Sequence, residues 1–195
     1  MTLGASSFSI EHLDVGDILR LTSDDGTNRL TRACVRSLTE ALGKLRSAGR
    51  PLIFSGNRQF FSAGADLHEI AALTGPEALE FSALGQELMH QIATFPAPVF
   101  AAIDGYCMGG GLDLALACHR RVASPHAIFG HRGAALGLIT GWGGTQRLPR
   151  LIGKAKALEL LVAAEKLHPA EALRLGLIDA ITERPEAAAV QSILQ

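Results

Sequence analysis

The sequence predicts an α/β fold in which parallel strands are joined by helical crossovers. Two short apolar runs, Pro51–Ser55 and Val99–Ile103, are typical of buried strands, and each leads through a glycine-rich loop into a segment with helical periodicity. Hydrophobic residues make up 48% of the 195 residues, which is enough for a sizeable core. The repeated order of strand, loop, helix and strand therefore favours a layered α/β domain with a parallel element.

The first predicted elements are a pair of strands and a helix. Phe8–Leu13 and Ile18–Leu21 are short alternating segments on either side of a turn at residues 14–17, as in a hairpin. Thr31 is a suitable N-cap for a helix that runs to about Ala48 with its apolar residues on one stripe. A glycine and a proline then end this helix before the strand at Pro51–Ser55.

The middle and last parts of the chain continue the same alternation. A short helix is predicted from about Ala65, and an amphipathic helix over Pro76–Ala93 ends at Pro96 and Pro98. A helix over Gly110–Cys118 follows the glycine cluster after Val99–Ile103. The remaining predictions are strands at Arg121–Ala123, Ala127–Gly130 and Leu177–Ile181 and helices at Thr145–Leu151, Lys154–Ala164 and Pro169–Leu175.

Charge and cysteine content exclude several classes of protein. The net charge of −1 implies no broad attraction to nucleic acid or to an anionic membrane surface. The three cysteines are odd in number and lack C-x-x-C spacing, so neither a disulfide scaffold nor a zinc site is expected. The N-terminal segment has no basic region followed by an apolar run, and no apolar stretch is long enough to span a bilayer. We therefore expect a cytoplasmic protein.

Two glycine-rich loops, Ser62–Leu67 and Gly105–Asp113, share a design. Each lies between a predicted strand and a predicted helix, and its small residues allow backbone N–H groups to approach a ligand closely. A helix N-terminus adds unpaired N–H donors, so two facing loops can form an oxyanion hole from the backbone alone. Each loop taken singly is better described as an ordinary tight turn, because short glycine patterns recur by chance, and neither matches the G-x-G-x-x-G pattern of dinucleotide-binding folds.

Four segments together resemble a known family. Gln59–Leu67 is similar to its F-[SC]-A-G-A-D-L segment, and Pro98–Cys118 to the P-V-I-A-A segment with its following G-G-G-x-E-L-A. Gly143–Arg150 is similar to G-G-T-Q-R-L-x-R, and Asn28–Thr31 to N-A-L-[ST]. In order and spacing, these segments resemble those of the crotonase superfamily, the enoyl-CoA hydratase/isomerase family.

The resemblance implies a fold, a substrate class and an assembly. The fold is a spiral of ββα units over residues 1–182, with residues 183–195 as the start of a truncated or naturally short C-terminal helical segment. The substrate is an acyl-CoA thioester, so that coenzyme A enters as part of the substrate and no separate cofactor or metal is expected. Members usually assemble as homotrimers or dimers of trimers, and the same is expected here.

The resemblance also implies which residues hold the thioester. The backbone N–H groups of Ala65 and Gly110 match the oxyanion hole that receives the thioester oxygen. Ala63, Asp66 and Leu67 match positions along the path of the adenine and the pantetheine arm.

Catalytic residues follow the family pattern only in part. Asp113 stands where family hydratases have the first of two glutamates, and its place in the first turn of a helix suits a base. The second glutamate position is Gly133, which has no proton to move. His131 lies next to this gap, so it either replaces the lost acid or is an ordinary loop histidine.

Two further residues are candidates with open alternatives. Arg132 is able to bind a substrate carboxylate or a CoA phosphate, or is simply solvated. Trp142 lines the acyl pocket or packs in the core. The leading hypothesis is an enoyl-CoA hydratase or isomerase that uses Asp113. Because of Gly133, the alternatives are a decarboxylase or hydrolase that uses the same oxyanion hole, or a non-catalytic relative.

Overall fold

The computed structural model describes residues 7–195, which form twelve strands and eight helices. The strands are β1 (Phe8–Leu13), β2 (Gly16–Leu21), β3 (Arg29–Leu30), β4 (Leu52–Ser55), β5 (Phe60–Ser62), β6 (Gly64–Ala65), β7 (Val99–Ile103), β8 (Tyr106–Met108), β9 (Arg120–Ala123), β10 (Ile128–Gly130), β11 (Lys166–Leu167) and β12 (Ala180–Ile181). The helices are α1 (Arg32–Arg46), α2 (Leu67–Ala71), α3 (Gly75–Ala93), α4 (Gly110–Ala117), α5 (Gly144–Ile152), α6 (Lys154–Ala163), α7 (Pro169–Arg174) and α8 (Pro185–Ile193).

A ββα unit is repeated along the chain. In the pairs β4–β5, β7–β8 and β9–β10, the first strand joins one sheet, the second joins another, and helical structure follows. The larger sheet has the order β1-β2-β4-β7-β9-β12, and the smaller has the order β11-β10-β8-β5. Strands β4, β7 and β9 pair in parallel, as do β5, β8 and β10. The predicted α/β fold, a spiral of ββα units, is therefore confirmed.

Most predicted elements are present close to their expected bounds. The hairpin pairs Phe8 with Leu21, and Thr31 caps α1 by accepting a hydrogen bond from the Cys34 N–H at 3.1 Å. Five strands were not predicted from the sequence, and each has only two or three residues: β3, β5, β6, β8 and β11. They are too short to show periodicity and exist because neighbouring strands pair with them. Of the strand predicted at Leu177–Ile181, only the last two residues pair, with β9.

The large sheet is covered on both faces. Side chains on one face join the main core with α1, α3 and α4, while Ile18, Ile53 and Phe100 on the other face pack against Ala189 of α8. Arg20 on β2 binds Glu186 at the start of α8 at 2.9 Å. The last helix of the chain is therefore part of the packed domain, because it buries an apolar face that the sheet would otherwise expose. No helix within residues 7–195 is long and apolar enough to cross a membrane.

Helix α3 carries a notch that receives Trp142. A Cβ atom placed on Gly85 would lie 2.1 Å from Nε1 of the Trp142 indole. The indole Nε1–H donates to the Phe81 carbonyl at 3.3 Å, and its ring meets the Phe81 ring edge to face with centroids 5.2 Å apart. The missing side chain at Gly85 therefore allows the loop before α5 to dock against α3.

We expect Gly85→Ala to lower the free energy of unfolding by about 1–3 kcal/mol, because the added methyl group overlaps the indole. Gly43→Ala in α1 is the matched control, since a Cβ there meets nothing within 4 Å. It should instead raise stability by up to about 1 kcal/mol, because alanine favours a helix interior over glycine. Denaturant unfolding of both variants measures the difference, and equal effects would contradict the notch.

Candidate functional site

Three parallel strands of the small sheet end side by side. Strand β8 lies between β5 and β10, with Cys107 beside Ser62 and Met108 beside Gly130. The Gly109 N–H donates to the Gly130 carbonyl at 2.9 Å, so the pairing continues to the strand ends. The two glycine-rich loops and the residue after β10 therefore meet at one sheet edge, the usual place for a ligand site in an α/β fold.

The two predicted oxyanion-hole loops touch. A Cβ on Gly64 would lie 2.8 Å from the Gly110 nitrogen, and a Cβ on Gly110 would lie 3.3 Å from the Ala65 nitrogen. Gly110 is also the first residue of α4. The backbone amide at this position has no hydrogen-bond partner within the helix and lies at the positive end of the helix dipole. The structure thus brings together Ala65 and Gly110 as the sequence analysis expects.

Glycines permit this approach for two different reasons. Gly109 has φ of 52°, a conformation that side chains rarely adopt. Gly111 has an ordinary helical place, but a Cβ there would lie 2.6 Å from the Ser62 side chain. Helix α4 can therefore begin directly against the end of β5 only with this run of small residues.

Asp113 and His131 form a buried pair beside the glycine-rich loop that begins α4. Nε2 of His131 lies 3.0 Å from Oδ1 of Asp113, and it must donate, since a carboxylate only accepts. The Thr140 hydroxyl donates to the other carboxylate oxygen. Asp113 and His131 are 2% and 6% exposed. Because Nε2 donates to Asp113, Nδ1 is the ring nitrogen of His131 that is left to accept a proton.

The Asp113 carboxylate lies near two helix N-termini and is influenced by the charge of Arg147. Besides lying in the first turn of α4, it contacts the first residue of α5, because a Cβ on Gly144 would lie 2.3 Å from Oδ1. Helix N-termini favour negative charge at both positions. Arg147 also acts on Asp113 electrostatically, although burial lowers the pKa of this guanidinium. Its N–H groups donate to the carbonyls of Trp142 and Met89.

His131, rather than Asp113, faces open space. His131 and Thr140 stand in the wall of a cavity of about 420 Å³ between the 134–139 loop and α6, which we call the α6 groove. Its remaining wall is chiefly apolar and includes Leu138, Ile139, Pro149, Leu158, Leu161 and Val162. Asp113 is not part of this wall, so its carboxylate lies behind the His131 imidazole as seen from the groove.

The loop that contains Gly133 forms a tight turn held by its own backbone hydrogen bonds. The Gly133 carbonyl accepts from the N–H groups of Leu136 and Leu138 at 2.8 and 2.9 Å. A Cβ on Gly133 would lie 2.8 Å from the Leu138 carbonyl oxygen. A side chain at this position would meet backbone, so the glutamate of the family pattern is absent from a loop that has no room for it.

The residues expected along the CoA path have different environments. Oδ1 of Asp66 caps α2 by accepting from the His68 N–H at 2.8 Å, and Oδ2 binds Arg29 at 3.2 Å. Backbone hydrogen bonding, chiefly from Glu69, lowers the pKa of Asp66. Ala63 is half-buried, while Leu67 is half-exposed at the surface. Both carboxylate oxygens of Asp66 are therefore engaged within the protein.

Arg132 and Trp142, the two candidates with open alternatives, have different environments. Arg132 is exposed and lies outside the wall of the α6 groove. Trp142 is 4% exposed and belongs to the core. It also lies against Gly110, because a Cβ there would come within 2.5 Å of its Cζ3 atom. Trp142 therefore packs in the core next to Gly110.

A buried thiol lies near the site, and the described residues form no cluster of potential metal ligands. Cys107 on β8 is buried, and burial raises the pKa of its thiol well above the ordinary value. Within residues 7–195, no three His, Cys, Asp or Glu side chains come together as metal ligands. The polar groups at the sheet edge therefore include backbone N–H donors and the His131–Asp113 pair.

Sequence reasoning missed Thr140 and Gly144, the two residues that complete the surroundings of Asp113. Both lie in or beside the glycine-rich segment 137–144, about thirty positions from Asp113. No spacing along the chain connects them to α4, so they were accessible only through the fold.

The amino-acid sequence is similar to those of known proteins. The sequence profile described as enoyl-CoA hydratase/isomerase matches residues 17–193. A probable enoyl-CoA hydratase from Bacillus subtilis is 46% identical over 154 residues, which is 77% of this chain and 60% of that protein. The fatty acid oxidation complex subunit alpha of Shewanella loihica is 39% identical in an alignment of 198 positions that covers 97% of this chain and 28% of that protein. The chain thus spans less than two thirds of the length of these curated relatives.

A solved structure agrees with the sequence match. The crystal structure of enoyl-CoA hydratase from Bacillus anthracis superposes with a TM-score of 0.91 at 30% identity, covering 96% of this chain and 75% of that chain. The order of the strands, the paired glycine loops and the profile match over nearly the whole chain lead to one conclusion. The chain belongs to the enoyl-CoA hydratase/isomerase family.

Proposed function

We propose that the protein binds an acyl-CoA thioester, stabilises its enolate and acts as an enoyl-CoA hydratase or isomerase. The observation that carries the proposal is the meeting of two amides and one acid–base pair at a single sheet edge. The amides belong to Ala65 and Gly110, and the pair is His131 with Asp113.

The amides act on the thioester oxygen. When water adds at C3 of an enoyl thioester, or when a C2 proton leaves, electrons move onto this oxygen. Two aimed N–H donors and the positive end of α4 stabilise the charge that develops there. Each donor contributes on the order of 3 kcal/mol to the transition state.

The pair moves the proton. Asp113 accepts from Nε2–H of His131 and stabilises the imidazolium, while Nδ1 takes a proton from the attacking water. The water oxygen bonds to C3, and the C2=C3 electrons move to the thioester oxygen. The imidazolium then returns its proton to C2, so one residue serves as base and then as acid. Asp113 is the positioning residue for His131, and the missing second glutamate is not required.

A second candidate function rests on Gly133. Because the loop has no side chain that can act as a second acid, reactions with fewer proton transfers remain alternatives. These are decarboxylation or hydrolysis of an acyl-CoA in the same oxyanion hole, or binding without catalysis. For hydrolysis, His131 would activate water for attack on the thioester carbon instead of C3.

Further aspects of the proposal concern binding and assembly. We place the CoA moiety along Ala63 and Leu67, with Asp66 holding the start of α2 in position. We expect assembly as a homotrimer or dimer of trimers in the cytoplasm, and no cofactor besides the CoA carried by the substrate.

Crotonyl-CoA hydration, followed by the loss of enone absorbance, and CoA binding by calorimetry test the proposed function together. We expect both to be positive. Binding without turnover of crotonyl-CoA or of longer enoyl-CoAs favours the second candidate. Absence of CoA binding would contradict both.

We expect His131→Ala to lower kcat by about 10²–10⁴-fold, because general acid–base catalysis contributes about this much. The affinity for a saturated acyl-CoA, measured by calorimetry, should stay the same. His126→Ala, at an exposed position away from the site, is the control. Unchanged turnover of every enoyl-CoA by His131→Ala would remove His131 from the mechanism.

Asp113 is tested through the same measurement. Asp113→Asn should also lower kcat, because the amide cannot stabilise an imidazolium as a carboxylate does. The double variant should lose little more than His131→Ala alone, since residues that act as a unit are not additive. Additive losses would instead indicate that Asp113 acts independently.

We expect that Gly133→Glu, which restores the residue of the family pattern, fails to raise the rate of crotonyl-CoA hydration. The new Cβ would lie 2.8 Å from the Leu138 carbonyl, so the loop must shift before a carboxylate can enter the site. The midpoint of thermal unfolding should fall as well. A clear gain in turnover would show that only the missing carboxylate limits the activity.

A further inference from the structure

A second cavity, of about 500 Å³, lies between α3 and the first turns of α5, and we call it the α5 cavity. Its polar wall carries hydrogen-bond donors from both helices: Ser82, Gln86, Thr145, Gln146, Arg147 and Arg150. Within residues 7–195, no aspartate or glutamate lines it. The cavity therefore presents two guanidinium groups without an acidic side chain in its wall.

Arg147 is a half-buried cation with no ion-pair partner among the described residues. Its guanidinium lies against Gly143, where a Cβ would come within 2.2 Å of Nη1. Two of its N–H groups donate to the carbonyls of Trp142 and Met89, at 3.1 and 3.3 Å. An arginine offers five such donors, so the others stay available for a ligand. A guanidinium withdrawn from water is usually paired with an acid, and this one lacks its anion.

Arg150 adds a second positive charge three residues further along α5. It is exposed, and it has neither a hydrogen bond nor an ion pair with any residue in 7–195. Burial lowers the pKa of Arg147, and the charge of Arg150 lowers it as well. Asp113 acts in the opposite direction, but its two oxygens already accept hydrogen bonds from His131 and Thr140. An oxyanion between the two guanidiniums would offset both burial and repulsion.

The donor set fits a phosphate group better than a carboxylate. A phosphate monoester has three terminal oxygens and between one and two negative charges at neutral pH, so it can accept from both guanidinium forks at once. A carboxylate has two oxygens and one charge. Thr145 and Gln146 supply further donors from the first turn of α5. The volume of the cavity is also within the range of small-molecule sites, so an organic group attached to the phosphate has room.

We propose that the α5 cavity binds a phosphate group between Arg147 and Arg150, either as the free ion or as the ester of a small organic molecule. The proposal is independent of the proposed function, because Ala65, Gly110 and the His131–Asp113 pair do not line this cavity.

Calorimetry in a phosphate-free buffer, with inorganic phosphate, glucose 6-phosphate and glucose as probes, tests the site. Both phosphates should bind to the native chain, and glucose should not. Arg150→Gln should weaken phosphate binding by about tenfold or more, the usual contribution of a charged hydrogen-bonding group. Arg150→Lys should lose less, because the charge remains without the fork. Arg36→Gln, which removes an exposed arginine of α1, is the matched control and should leave the affinity unchanged.

The thermal unfolding midpoint of Arg150→Gln should equal that of the native chain, since the side chain is exposed and unpaired. The site is overturned if neither phosphate binds to the native chain, or if Arg150→Gln binds both as tightly. Tighter binding of succinate than of inorganic phosphate would overturn the assignment to phosphate. The stronger of the two phosphate probes identifies the source as the free ion or an ester.

Saturation with butyryl-CoA distinguishes this site from the CoA path, because CoA itself carries phosphate groups. The affinity for inorganic phosphate should be the same with and without butyryl-CoA, and a loss would assign the cavity to CoA and overturn a separate site. If butyryl-CoA fails to bind while phosphate binds, the proposed function fails and the phosphate site stands. A changed sedimentation coefficient of Arg150→Gln, with no phosphate binding by the native chain, would instead assign the two arginines to an interface between copies.

Discussion

The register of β8 between β5 and β10 is the constraint on which the site depends. It aligns Cys107 with Ser62 and Met108 with Gly130, so three loops leave the sheet at the same edge. A shift of one residue would turn each side chain of β8 to the other face and separate Gly110 from the loop that carries Ala65. Side-chain substitutions alone would not restore the approach of Ala65 to Gly110, because the pairing of these backbone segments creates it.

Two features of the site depend on this strand register: the close contact of the glycine loops and the hydrogen bonding of the buried Asp113 carboxylate. Gly64 and Gly110 let two loops touch, and the same edge buries Asp113. A buried carboxylate is costly unless it is paired and hydrogen-bonded. Asp113 receives a bond on each oxygen, from His131 and Thr140, and lies near two helix N-termini. The stability of the pair and the orientation of the imidazole therefore have the same physical origin.

The departure from the family pattern at Gly133 and the α6 groove are linked through one loop. The Gly133 carbonyl accepts from the Leu138 N–H, which closes the turn where the family pattern has an acid. The residues that follow, Leu138 and Ile139, then contribute apolar wall next to His131. The closed turn thus leaves no room for a side chain at Gly133 and places apolar residues beside His131.

The sequence by itself determined the α/β class, the long helices and strands and the two glycine loops, because periodicity, capping residues such as Thr31 and glycine clusters are local signals. It also indicated Asp113 and His131 as candidates, but only the tertiary structure decided that they bind each other and that the imidazole faces the groove. Thr140 and Gly144 lie far along the chain from Asp113, and strands of two or three residues such as β6 carry no periodicity. Such features depend on contacts between distant segments, which packing and strand register create and local sequence does not encode.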